Sequence, residues 1–101
     1  MKAHVTNIYA DQAFYREAAE PEQVLTGTLA RHESPLGPAN RPHSFRLQTD
    51  DGRLLDVYAT PAAHERLAPL VGARLRIRGK LVDLSREGFG VELWIGELEA
   101  P

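Results

Sequence analysis

Four basic side chains recur at every second position of one stretch of the chain, where they could bind a row of phosphates: Arg74, Arg76, Arg78 and Lys80. In an extended strand, side chains at alternate positions share one face, so all four would project together. Arginine binds phosphate oxygens through charge-assisted hydrogen bonds, which suits the backbone of a nucleic acid. The alternative is a solvated strand whose charges pair with acidic residues on neighbouring strands, such as Asp83, Glu92 or Glu97. We favour this alternative because the sequence has no excess of positive charge.

Two aromatic residues, Tyr58 and Trp94, are predicted on the outer faces of neighbouring strands, where they would form an apolar patch with Leu54. An exposed aromatic patch could stack the bases of a nucleic acid. It could equally be covered by the N-terminal part of the chain through Phe14, or form a dimer contact. We favour the covered patch, because an ordered extension must bury apolar surface. Phe14 is therefore predicted to contact Leu54, Tyr58 or Trp94.

The sequence carries no pattern that predicts catalysis or a bound cofactor. It has no cysteine, which excludes a thiol nucleophile, a disulfide and a cysteine-based metal site. It has no glycine-rich phosphate loop and no catalytic triad pattern, and a turn explains the neighbouring carboxylates of Asp50 and Asp51. The histidines lack the spacing of metal ligands. We therefore expect a protein that is not an enzyme and needs no cofactor.

Length and composition predict one globular domain, since 101 residues with 43% hydrophobic and 26% charged side chains can bury a single core. The net charge of −2 does not favour non-specific binding of nucleic acid. Residues 1–23 hold two basic and four acidic side chains, whereas residues 24–101 hold ten of each. We see neither the apolar run of a signal peptide nor a membrane span, so we expect a cytoplasmic protein with no membrane partner.

Five segments with alternating apolar residues predict the strands of one barrel in residues 24–101. These segments cover residues 23–31, 43–49, 53–59, 73–82 and 89–98. Asp51 and Gly52 form the turn between the second and third strands. Thr60, Pro61 and Gly72 mark the ends of a short helix between the third and fourth strands. Strict alternation predicts one core formed by Leu25, Leu29, Phe45, Leu47, Leu55, Val57, Leu75, Ile77, Val91, Leu93 and Ile95.

An N-terminal extension over residues 1–23 precedes this barrel. Val5, Ile8 and Tyr9 predict a weak strand or an extended arm over residues 4–10. Asp11 can cap a short helix over residues 12–19, and Pro21 ends that helix. The extension is therefore predicted to be partly helical and acidic.

The pattern resembles the OB-fold superfamily over residues 24–98, about three quarters of the chain. The resemblance is carried by Leu-Thr-Gly-Thr-Leu at 25–29 and by the hairpin that joins Phe-Arg-Leu at 45–47 to Leu-Asp-Val-Tyr at 55–58. Its most characteristic part is the run Leu-Val-Gly-Ala-Arg-Leu-Arg-Ile-Arg-Gly-Lys-Leu at 70–81. It implies an all-β fold, namely a five-stranded Greek-key barrel with one short helix between strands three and four. The N-terminal helical extension lies outside the common pattern.

OB-folds usually bind ligands on the outer face of strands two and three, between the loop after strand one and the loop that joins strands four and five. The resemblance therefore implies a site at Arg46 and Tyr58, flanked by Arg41 in loop 32–42 and Arg86 in loop 84–90. The arginines would hold phosphates, and Tyr58 would offer its ring to a base. By this analogy we expect a non-enzymatic binding module for single-stranded nucleic acid. The alternative ligand is a protein, bound by the same barrel or by its acidic N-terminal arm.

Overall fold

Five strands close into a barrel in the computed structural model, which describes residues 5–32, 44–88 and 90–99. The chain starts with the strand β1 (Val5–Asn7) and the helical turn α1 (Ala13–Glu17). The barrel strands are β2 (Gln23–Arg31), β3 (Phe45–Thr49), β4 (Leu54–Val57), β5 (Arg74–Asp83) and β6 (Val91–Glu99). Between β4 and β5 lie the helix α2 (Pro61–Leu67) and a 3₁₀ turn (Ala68–Leu70), and a second 3₁₀ turn (Ser85–Glu87) precedes β6. Within these described ranges, no helix is long and apolar enough to cross a membrane.

The barrel strands pair in the order β2-β3-β4-β6-β5, and β5 pairs back with β2 to close the barrel. The contact between β4 and β6 is parallel, with Val57 opposite Leu93, and the other barrel pairings are antiparallel. This arrangement confirms the prediction of a five-stranded barrel with a short helix between its third and fourth strands. It is compatible with an OB-like fold.

Local sequence signals place the hairpin turn and the helix where they were predicted. Gly52 lies in the turn between β3 and β4 with φ of +90°, a left-handed conformation that glycine adopts without strain. The side chain of Thr60 caps α2 by accepting a hydrogen bond from the N–H of Ala63 at 3.3 Å. Pro61 then occupies the first helical position, where its missing N–H costs no hydrogen bond.

The hydrophobic core lies inside the barrel, and α2 contributes to it. Side chains with no exposed surface come from the barrel strands and from α2, among them Leu29, Phe45, Leu47, Val57, Leu67, Ile77, Leu93 and Ile95. Ile77 is buried and Arg76 is exposed, which confirms the predicted register of β5. Leu55, which was also predicted inward, is only half-buried. Burial of this apolar surface is the main favourable term for folding.

The first two residues of β6 show the opposite burial from the prediction. Val91, predicted in the core, is 48% exposed, and Glu92, predicted outward, has no exposed surface. Val91 is paired with Asp83, the last residue of β5, so it lies at the end of the two strands, beyond the packed interior. Glu92 shares the outer face with Trp94, whose Nε1 donates a hydrogen bond to Glu92 Oε1 at 3.1 Å. Alternation alone fails here because part of the outer face is itself covered.

A β-bulge at Gly96 changes the phase of β6. The pairing with β5 shifts by one residue between Ile95 and Glu97, which leaves Gly96 as the extra residue. As a result, Ile95 and Leu98 are both buried although they are three positions apart. A Cβ atom on Gly96 would lie 2.6 Å from the hydroxyl oxygen of Tyr15, so only glycine fits at this position without a shift of its neighbours.

The N-terminal extension joins the barrel at this bulge. β1 pairs antiparallel with the end of β6 and adds a strand outside the closed barrel. The carbonyl oxygen of Gly96 accepts hydrogen bonds from the N–H groups of Ile8 at 2.8 Å, Tyr9 at 3.1 Å and Ala10 at 3.2 Å. The weak strand or arm suggested by the sequence is therefore a paired strand with a defined register.

The helical turn α1 differs from the prediction in length and in its cap. It covers five residues, where the sequence predicted a helix over residues 12–19. The N-cap residue is Gln12, which makes no side-chain capping hydrogen bond, so the predicted cap at Asp11 is wrong. Asp11 Oδ2 instead accepts a hydrogen bond from Asn7 Nδ2 at 2.6 Å. Without a capping side chain, the segment forms little more than one turn of helix.

Candidate binding surfaces

The predicted site residue Arg46 is paired with an acidic residue on the next strand. Arg46 lies on β3 directly opposite Asp56 on β4, and Arg46 Nε lies 2.9 Å from Asp56 Oδ1. The two side chains are 35% and 34% exposed, so the pair is accessible but not fully solvated. A phosphate group at Arg46 would have to compete with the Asp56 carboxylate for the same guanidinium group.

The second predicted site residue, Tyr58, contacts other aromatic rings. It follows β4 and is half-buried, and its ring centroid lies 5.8 Å from that of Tyr9 and 6.0 Å from that of Trp94. Phe14 extends the cluster, with its ring 5.3 Å from Trp94 and 5.2 Å from Tyr9. The predicted contact between Phe14 and Trp94 is therefore confirmed. The N-terminal segment packs against Tyr58 and Trp94, which are half-buried, whereas Leu54, the third residue of the predicted patch, is 56% exposed.

Of the remaining two predicted site residues, the structure describes only Arg86. Arg41 is outside the described residues. Arg86 is exposed in the 3₁₀ turn between β5 and β6. Hydrogen bonds from Ser85 hold the pKa of the nearby Asp83 carboxyl below its ordinary value, and the charge of Arg86 adds to the effect. The structure thus places Arg46 on β3 and Tyr58 directly after the adjacent strand β4, and it places Arg86 in a separate connection.

The row of arginines on β5 is exposed and paired with carboxylates. Arg76 Nη1 lies 3.6 Å from Glu99 Oε1, and Arg78 Nη1 lies 3.5 Å from Glu97 Oε2. Arg74 pairs with Asp50 on the other side of β2. This confirms the interpretation of a strand whose charges are paired, with Glu97 as one of the partners named from the sequence. Exposed ion pairs of this kind each contribute roughly 0–1 kcal/mol to the stability of the fold, so their main effect is on the charge of the surface.

Lys80, predicted outward with the three arginines, is only 6% exposed. Its Nζ donates hydrogen bonds to the carbonyl oxygens of Tyr15 at 2.7 Å and Ala18 at 2.9 Å, and it lies 4.7 Å from the centroid of the Tyr15 ring. The predicted outward orientation holds, but the N-terminal segment covers the side chain. Lys80 therefore anchors that segment to the barrel and is not a fourth cation on the surface.

Tyr15 is buried beside this lysine, and its hydroxyl donates a hydrogen bond to Glu22 Oε2 at 2.8 Å. Burial, followed by the hydrogen bond and charge of Glu22, raises the pKa of the Tyr15 hydroxyl above its ordinary value. The phenol therefore stays protonated and keeps donating to Glu22. The role of Tyr15 was not predicted, because α1 has no regular apolar stripe that points to it.

A shallow groove spans the neighbouring strands β1, β6, β5 and β2 on the outside of the barrel. It has a volume of about 140 Å³ and is lined by Val5, Val24, Leu98, Arg76, Arg78, Glu97 and Glu99. Val5 is 52% exposed and Val24 is 55% exposed. We call this surface the valine groove. The alternation of the barrel strands places Val24 outward, but nothing in the sequence brings Val5 to the same surface.

A larger cleft lies between the N-terminal segment and α2. Its volume is about 480 Å³, and its lining includes Asn7, Asp11 and Phe14 on one side and Thr60 and Arg66 on the other. Arg66 Nη1 donates a hydrogen bond across the cleft wall to the carbonyl oxygen of Asn7 at 2.5 Å. We call this space the α2 cleft. Sequence reasoning missed it because its two walls are more than 40 residues apart in the chain.

No protein-family model, curated protein or solved structure gives a significant match to this chain. In the described part of the chain, no three His, Asp or Glu side chains form a group that could hold a metal ion.

Proposed function

We propose that this protein is a non-enzymatic binding module built on an OB-fold barrel, and that its ligand is another protein. The OB-fold is supported by the strand order β2-β3-β4-β6-β5, by the closure of β5 onto β2, and by the position of α2. These features are typical of small Greek-key barrels, which bind ligands on one outer face and on the loops that flank it. The step from fold to binding is an analogy, so the choice of ligand has to come from the surface.

The valine groove is the observation that carries the choice of a protein ligand. Val5 and Val24, each more than half exposed, line one surface together with the ion pairs Arg76–Glu99 and Arg78–Glu97, which lie between them. A mixture of apolar and paired charged side chains is the usual composition of a non-obligate protein interface. The surface carries two positive and two negative side chains, which suits a partner with paired charges better than a polyanion.

Single-stranded nucleic acid is the second candidate, favoured by the shared outer face of Arg46 on β3 and Tyr58 after β4. Two observations weigh against it. Arg46 is paired with Asp56, and the Tyr58 ring contacts Tyr9 and Trp94. In addition, the net charge of −2 gives no long-range attraction for a polyanion. We therefore rank it below a protein ligand.

Selection of peptides from a random displayed library on the whole protein would test the first candidate. We expect the selected peptides to lose most of their affinity for Val24→Asp, because a carboxylate would replace an apolar side chain that the peptide buries. The matched control is Val71→Asp, at a valine that is 37% exposed after α2. Peptides that bind Val24→Asp as tightly as the unmodified protein would contradict the valine groove as the binding surface.

A fluorescence anisotropy titration with a labelled mixed-sequence oligonucleotide at low salt separates the two candidates. For a protein-binding module we expect no saturable binding. Tight binding whose affinity falls steeply with salt concentration would instead identify phosphate contacts and favour the second candidate.

A further inference from the structure

We infer that the α2 cleft binds a free aromatic amino acid in its zwitterionic form. The cleft volume of about 480 Å³ lies within the range of roughly 300–1,000 Å³ that is common for small-molecule sites. Its lining combines an exposed aromatic ring with one basic and one acidic side chain. These three groups correspond to the three parts of such a ligand.

Phe14 supplies the contact for the ring of the ligand. It is 40% exposed although it belongs to the aromatic cluster. Tyr9 and Trp94 hold it edge-on, at interplanar angles of 65° and 72°, so its orientation is fixed before a ligand arrives. A second aromatic ring in the cleft could pack on the exposed part of Phe14 without the cost of ordering it.

Arg66 and Asp11 supply the two charges, and Asn7 joins them. Arg66 uses one N–H of its guanidinium on the Asn7 carbonyl, which leaves further donors of the same group for a carboxylate. Asp11 Oδ2 accepts a hydrogen bond from the Asn7 side chain at 2.6 Å, and a carboxylate has capacity for additional donors. A ligand with a carboxylate beside an ammonium group would therefore bind Arg66 through its carboxylate and Asp11 through its ammonium group.

The same pair of charges discriminates against other ligands. A nucleotide would bring its phosphates next to the Asp11 carboxylate, and like charges at short range oppose binding. An uncharged aromatic ligand would pack on Phe14 but would give Arg66 and Asp11 no new partners. A peptide terminus carries only one of the two charges on its terminal residue. The adjacent carboxylate and ammonium of a free amino acid are the arrangement that meets both side chains at once.

Trp94 provides a built-in reporter for this binding. It is the single tryptophan of the chain, and its ring lies 5.3 Å from Phe14. L-Phenylalanine does not absorb where tryptophan is selectively excited, so the whole protein can be titrated with it directly. We expect a saturable change in Trp94 emission. The analogues 3-phenylpropionate and phenethylamine each lack one charge, and we expect each to bind about tenfold or more weakly.

Two variants test which side chain of the protein binds which charged group of the ligand. Arg66→Gln should lower the affinity for L-phenylalanine about tenfold and leave the affinity for phenethylamine unchanged. Asp11→Asn should lower the affinity for L-phenylalanine and leave the affinity for 3-phenylpropionate unchanged. Arg53→Gln, at an exposed arginine in the turn between β3 and β4, is the matched control and should leave the affinity for all three ligands unchanged. A variant that merely unfolds would lose every ligand, so the crossed pattern cannot come from misfolding.

The inference is overturned if millimolar L-phenylalanine changes neither Trp94 emission nor the amide resonances of residues around the cleft. Equal affinity for L-phenylalanine and both analogues would also overturn it, because the ligand would then be recognised by its ring alone.

Discussion

The ammonium group of Lys80 donates a hydrogen bond of 2.7 Å to the backbone carbonyl of Tyr15, a residue 65 positions earlier in the chain. A second hydrogen bond, to the carbonyl of Ala18 at 2.9 Å, places the same charge at the C-terminal end of α1. The Tyr15 carbonyl also accepts a hydrogen bond from the N–H of Ala18 at 3.3 Å, and a positive charge is favourable at this end of a helix. One barrel side chain thus completes the helical turn and fixes the N-terminal segment over β5.

Replacing Lys80 with methionine should lower stability by roughly 2 kcal/mol, because the carbonyls of Tyr15 and Ala18 lose a charged donor while most of the side-chain volume remains. For a domain of this size, that change lowers the Tm by about 10 °C. Thermal and urea denaturation would measure it. Arg76→Met is the control, since Arg76 is exposed on the same face of the strand, and we expect it to change little. Equal effects of the two substitutions would contradict the anchoring role of Lys80.

Replacing Gly96 with alanine should cost roughly 2 kcal/mol, because the new Cβ would lie 2.6 Å from the hydroxyl oxygen of Tyr15 and 3.1 Å from the carbonyl of Arg78. In a Tyr15→Leu background the first of these contacts is absent. The penalty for Gly96→Ala should then fall by about 1 kcal/mol, as a double-mutant cycle measures from urea unfolding. Strictly additive effects would show that the bulge and Tyr15 are not coupled.

Asp51 should make the stability depend on pH below its ordinary pKa of 3.8. Hydrogen bonds from Thr49 and then from Arg53 lower the pKa of this carboxyl in the folded hairpin. A lowered folded pKa means that the contribution is present above pH 3.8 and is lost as the pH falls through the folded value. Acid titration of the unfolding free energy should therefore be flatter for Asp51→Ala than for the unmodified protein. An unchanged slope would speak against this role of the hairpin carboxylate.

If single-stranded nucleic acid is the ligand, Arg46 and Arg86 should contribute phosphate contacts. Replacing both with alanine should weaken oligonucleotide binding and flatten its dependence on salt by about two units in the logarithmic plot, one for each lost contact. Anisotropy titrations over a series of salt concentrations would give the slope. Arg53→Ala, which removes an exposed arginine from the β3–β4 turn, is the control. A slope unchanged by the double substitution would remove these two residues from the candidate site.

Sequence by itself determined the elements whose causes are local. The alternation that buries Ile77 and exposes Arg76 reflects the period of a strand, which holds wherever one face is packed. The turn at Gly52 and the cap at Thr60 each depend on a few adjacent residues. Because these causes act within a few residues, the five barrel strands and the intervening helix could be predicted from residue order.

Tertiary structure decided which outward residues are exposed and which surfaces form. Lys80 and Glu92 were placed on the outer face by alternation, but both are buried. The pairing of Arg46 with Asp56 neutralises a predicted phosphate ligand, and the α2 cleft joins Asp11 to Arg66 through Asn7. The physical reason is that burial and charge pairing depend on neighbours in space, and segments far apart in the chain become neighbours only when the barrel closes and the N-terminal segment packs against it.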